Sequence, residues 1–134
     1  MCASEDPLDV GFDLELKDPT PPLARVRQRL STEMNTLDGH ELDDLLLICN
    51  ELVTNAYEHA EGPRRIAVHR VRHRRAILVE VYDGSPDRRL AVGRSRVDEP
   101  RGRGLVLVGA LAPANWGVRT EADGKTVWAE LALT

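Results

Sequence analysis

Cysteine is nearly absent: the 134 residues hold two, Cys2 and Cys49. That excludes a disulfide framework and leaves too few thiolates for the usual structural zinc sites. Cys49 falls in an apolar helical pattern and reads as a core residue. Cys2 lies in a loose N-terminal stretch, residues 1–9. Lysine is as rare, with Lys17 and Lys125 alone among 18 basic residues. Aromatic residues make up 4%. Few aromatics and a net charge of −4 weigh against a nucleic-acid-binding surface. Long apolar runs are missing too. The longest, Gly104 to Pro113, is half the roughly 20 residues that a spanning helix needs. The opening Met-Cys-Ala-Ser-Glu-Asp-Pro has neither a basic n-region nor an apolar h-region, so no secretory signal is expected. A reducing, cytoplasmic setting without a membrane is the expectation.

What is present is an ordinary globular balance, 42% apolar and 30% charged. The length suits one domain, taken as residues 10–134. Charge is uneven along it. Residues 1–61 carry 14 acidic and 4 basic side chains, and residues 62–134 carry 8 and 14.

Hydrophobic periodicity divides the chain. Val10, Phe12, Leu14 and Leu16 alternate as in a half-buried strand. Leu23, Val26, Leu30, Met34 and Leu37 recur every three or four residues, predicting a helix from about Pro22 until Asp38-Gly39 breaks it. A longer helix is predicted over Glu41 to Ala60, stopped by Gly62-Pro63. Strand patterns follow around Ile66 to Val68 and Ile77 to Val81. Residues 84–101 have no steady period and read as a long loop, a feature usually tied to function. Gly102 to Leu111 predicts a short buried helix. Trp116 to Thr120 and Thr126 to Leu133 predict two strands around Ala122-Asp123-Gly124. The order predicts an α+β two-layer sandwich, a mostly antiparallel sheet with helices on one face.

Three segments carry chemistry. In Glu51-Leu-Val-Thr-Asn55-Ala-Tyr-Glu-His59, steps of four residues advance only about 40° around a helix. Glu51, Asn55 and His59 therefore form a polar stripe beside the apolar one. An amide oxygen and a carboxylate at the edge of a cleft suit Mg²⁺, which takes hard oxygen ligands and keeps several waters; a solvated helix flank is the plainer reading. In Val79-Glu-Val-Tyr-Asp83-Gly84-Ser85, an apolar strand ends in a carboxylate, an acceptor for an exocyclic amine such as that of adenine. An ordinary strand-to-turn Asp-Gly is the alternative. In Arg101-Gly102-Arg103-Gly104-Leu105, two glycines open an apolar helix. The free N–H groups of a helix start attract anions, and the arginines add charge-assisted contacts to phosphate. The spacing fits neither a Walker A loop nor a dinucleotide fingerprint.

The order of these segments, more than any one of them, is informative. Glu-x₃-Asn on a helix, a strand ending in Asp-Gly, a loop and Gly-x-Gly at a helix start resemble the N, G1 and G2 boxes of the GHKL (histidine-kinase-like, Bergerat-fold) ATPases. The stretches Glu51 to Ala60, Gly102 to Leu105 and Gly124-Lys-Thr-Val-Trp-Ala-Glu-Leu131 resemble the small anti-sigma-factor serine kinases of the RsbW type. The resemblance implies ATP and Mg²⁺ as cofactors. It implies that Asn55 binds the metal, that Glu51 is the general base and that Asp83 reads the adenine amine. It places Gly84, Arg101, Gly102, Arg103, Gly104 and Leu105 at the nucleotide, with loop 84–101 as lid and Thr126 supporting the adenine. The implied activity is phosphorylation of a STAS-domain antagonist by a dimer that also sequesters a sigma factor. One departure stands out: the family box is Asp-x-Gly, whereas this chain reads Asp83-Gly84-Ser85. An ATP-binding module with weak or no kinase activity is therefore the alternative. A detached two-component catalytic domain is disfavoured, because residues 22–37 hold no acceptor histidine. The arginine-rich stretch 64–75 reads as a solvated hairpin or docking surface before it reads as a phosphate-tracking one.

Overall fold

A computed structural model describes residues 10–71, 73–86 and 115–133. In chain order the elements are β1 (Val10–Leu16), α1 (Leu23–Glu33), α2 (Gly39–His59), β2 (Arg64–Val71), β3 (Ala76–Asp83), β4 (Trp116–Thr120) and β5 (Lys125–Ala132). The strands form one sheet in the order β1-β2-β3-β5-β4, and all four ladders are antiparallel. The expected α+β class is the observed one. The helix expected over Gly102 to Leu111, the loose stretch expected over 1–9 and most of the loop expected over 84–101 lie outside the described residues.

Alternation sorts each strand. Phe12 and Leu16 of β1, Ile66 and Val68 of β2, Ile77, Val79 and Val81 of β3, and Val127, Ala129 and Leu131 of β5 face the core. The helices close that face with Val26 and Leu30 from α1 and Leu45, Ile48, Cys49, Leu52 and Val53 from α2. Burial of these side chains is the main driving force for the packing, each worth about 1.5–3 kcal/mol relative to exposure. Among the described residues, no helix is long and apolar enough to cross a membrane.

Two helix boundaries differ from expectation. α1 ends at Glu33, one turn before Leu37, although Met34 remains in the core and its N–H still donates to Leu30 O at 2.8 Å. Asn35 and Thr36 follow, residues that favour turns over helix continuation. α2 begins at Gly39 rather than Glu41 because Asp38 is its N-cap. Asp38 Oδ1 accepts from Glu41 N at 2.8 Å, and Glu41 Oε1 accepts from Asp38 N at 3.2 Å, a reciprocal capping box. Asp38-Gly39 thus separates the helices by starting the second.

The other sheet face carries charge in pairs. Arg65 lies 3.6 Å from Asp13, Arg119 3.0 Å from Glu80, and Arg74 2.6 Å from Glu130. The hairpin arginines are largely engaged within the fold. Arg70 donates to Thr36 Oγ1 at 2.9 Å, and Arg64 reaches back to the end of α2. Internal pairing on this scale favours a solvated hairpin over a phosphate-tracking one.

Candidate functional site

The site begins on α2. Its core stripe runs through Leu45, Cys49, Leu52 and Ala56, and the Glu51-Asn55-His59 stripe lies along one edge of it. Asn55 is 7% exposed, and its Oδ1 has no hydrogen-bond partner among the described residues. A buried acceptor left unmatched costs about 1–3 kcal/mol, so such an atom calls for a reason. His59, one turn further on the same flank, has an unmatched buried Nε2 as well. Tyr57 hides its hydroxyl on the opposite flank, with the Arg64 guanidinium 4.2 Å from its ring centre. Glu51 is half-buried. Burial first, and the nearby Glu58 second, push its carboxyl above the usual carboxylate range.

The end of α2 is tied to the end of β3. Arg64 donates from Nε to Ala56 O at 3.0 Å and from Nη2 to Ala60 O at 2.7 Å, satisfying carbonyls that a helix end leaves open. Gly84 N donates to Glu61 O at 2.8 Å, and Glu61 N donates to Ser85 Oγ at 2.7 Å. Gly84 must be small here, since a Cβ would lie 2.4 Å from Gly62 O.

Asp83 continues the inward row of β3 and is 1% exposed. Its Oδ1 accepts from Ser85 N at 2.9 Å. Lys125, its register partner on β5, places Nζ 3.0 Å from Oδ1 and 3.0 Å from Oδ2. The lysine is as buried as the aspartate, and its Nζ also reaches Ser85 O at 3.3 Å. Gly124 makes this approach possible, because a Cβ there would meet Asp83 O at 2.0 Å.

Thr126 is the residue that the fold separates from Asp83. It pairs with Tyr82, so alternation turns its side chain to the opposite sheet face. There its hydroxyl donates to Glu121 Oε2 at 3.2 Å, beside a hollow of about 490 Å³ bordered by Tyr82, Glu80 and Arg119. The residue beside Asp83 is Lys125, which sequence reasoning missed. The signal was available: Lys125, Val127, Ala129 and Leu131 share one parity, and the last three are apolar.

Arg101, Gly102, Arg103, Gly104 and Leu105 lie outside the described residues. Among those described, no group of three or more His, Cys, Asp or Glu is placed to hold a metal. A metal at Asn55 would need the rest of its oxygens from water or a bound ligand. The arrangement offers an unmatched amide oxygen, a flanking carboxylate with raised proton affinity and a buried carboxylate fixed by a lysine.

Comparison with known families gives a match. The model of the histidine kinase-like ATPase domain covers residues 16–131. No curated protein matches the chain.

Proposed function

From the membership of this chain in the histidine kinase-like ATPase family, which makes it an ATP-binding, ATP-using domain, we propose that it is a Mg²⁺-dependent protein serine/threonine kinase acting as an anti-sigma factor. Its substrate is a STAS-domain antagonist, and its second partner is a sigma factor held by a cytoplasmic homodimer. The observation that carries the catalytic part is the buried, unmatched Oδ1 of Asn55 on the box helix.

That oxygen fits Mg²⁺, a hard cation that prefers oxygen donors and shares them with nucleotide phosphates. Bound Mg²⁺ would neutralise phosphate charge there. Phosphoryl transfer then asks the chain for positioning and a proton acceptor. Glu51 is the acceptor for the seryl or threonyl proton, and its raised proton affinity suits that task. Oδ2 of Asp83, which carries fewer contacts than Oδ1, accepts from the adenine amine. Arg101 to Leu105 supply backbone N–H groups and cations to the phosphates. The sequence departure at Asp83-Gly84-Ser85 supports a second reading, an ATP-binding module with little transfer activity.

Labelled ATP, Mg²⁺ and a STAS-domain partner test the proposal together. The expected result is label on a serine or threonine of the partner, abolished by Asn55→Ala. Tight ATP binding by calorimetry without transfer would select the module reading. Absence of any nucleotide binding would remove both.

A further inference from the structure

Lys125 has no place in the function as drawn so far, yet it is among the few buried charges described. An ammonium carries three donors and no acceptor. Three oxygens surround this one: Asp83 Oδ1 at 3.0 Å, Asp83 Oδ2 at 3.0 Å and Ser85 O at 3.3 Å. Two of its donors are matched inside the protein, by Asp83 Oδ1 and Ser85 O, and Asp83 Oδ2 completes the ion pair. The carboxylate is treated asymmetrically. Oδ1 accepts from both Lys125 Nζ and Ser85 N, whereas among the described residues Oδ2 only faces Lys125 Nζ across the ion pair at 3.0 Å. A carboxylate oxygen offers two lone-pair directions, so Oδ1 is filled and Oδ2 is the oxygen left to accept.

We propose that Lys125 is a positioning residue for nucleobase recognition: with Ser85 it fixes the Asp83 carboxylate so that Oδ2 is the oxygen that remains for the base amine. The proposal rests on Asp83 being the base-reading residue. It also gives the shifted box glycine a physical account. Ser85 ties three elements at once. Its N–H holds Asp83, its carbonyl meets Lys125, and its hydroxyl accepts from Glu61 N at 2.7 Å. Gly84 supplies the close approach to Gly62 that lets the chain turn there. Ser85 and Lys125 together hold the carboxylate in this shifted box.

The test is selectivity between ATP and purine riboside triphosphate, which lacks the 6-amino group, measured by calorimetry with Mg²⁺ on the native chain, Lys125→Met, Asp83→Asn and the double variant. The native chain is expected to prefer ATP by about tenfold, the order of one hydrogen bond to a charged group. Lys125→Met and Asp83→Asn are each expected to abolish that preference while retaining binding of the triphosphate. The double variant should lose no more than either one, as coupled neighbours do. Should Lys125→Met fail to fold by circular dichroism, Lys125→Gln is read in its place, and the same ratio decides. Lys125 variants that keep the native ratio while Asp83→Asn loses it would overturn the positioning role and leave base reading intact. An unchanged ratio in Asp83→Asn would overturn both. A lysine serving stability alone would lower the melting temperature without moving the ratio.

Discussion

Single side chains decide the chemistry here, and they differ in how openly the sequence declares them. Asn55 and Asp83 could be singled out as candidates because each has a place in a pattern: one sits at the edge of an apolar helical stripe, the other closes an alternating strand. Lys125 was not, since lysine is normally a surface residue and its burial depends on Asp83 arriving from 42 positions away. Thr126, its neighbour, was singled out by resemblance, and a one-residue shift in a strand moves a side chain to the other face. Glu51 leads to a pH prediction. Burial, then Glu58, raise its proton affinity in the fold. A general base works only when ionised, so phosphotransfer should fall as pH drops, with a midpoint above that of an ordinary glutamate. The shift also favours the folded state at low pH, a benefit lost as pH rises through the folded value. Initial-rate pH profiles check the first part. Glu51→Gln should lower kcat by about 10²–10⁴-fold, the usual range for losing a general base, and leave ATP affinity near native. An unchanged kcat would remove Glu51 from that role.

At the level of elements, α2 is the platform. It holds Glu51 and Asn55 along one edge, begins at a side-chain cap and ends under the Arg64 guanidinium. Its existence was plain from apolar spacing, but its start was misplaced by two residues. An Asp-Gly pair reads equally well as a break or as an N-cap followed by the first helical residue. What settles the matter is the return bond in which Asp38 N donates to the Glu41 carboxylate. Asp38→Ala should therefore cost about 1 kcal/mol, the usual value of such a cap, without affecting nucleotide contacts directly. Urea unfolding measures it, and a loss below ~0.3 kcal/mol, less than such caps ordinarily contribute, would show the cap to be idle.

For the molecule as a whole, fold class followed from the order of strand and helix patterns, but sheet order did not. The turn at 122–124 made β4 and β5 neighbours. Nothing local said that β5, not β4, would lie against β3. That choice buries the parity row of Val127, Ala129 and Leu131 against Val81, Val79 and Ile77, which β4, with its exposed Val118, Arg119 and Thr120, cannot match. Ile77 is fully buried at that seam, so Ile77→Ala should cost about 2–5 kcal/mol, as cavity-forming substitutions do. Thermal or urea unfolding checks this, and a loss under ~1 kcal/mol, well below that range, would mean the seam repacks. The central place of β5 has a consequence for synthesis. Translation delivers residues 125–132 after the other described strands, yet two ladders wait for them. Until then β3 is an open edge, β4 has no neighbour, and Asp83 lacks its counter-ion. A growing chain thus completes its sheet and its carboxylate clamp together, when this one strand docks.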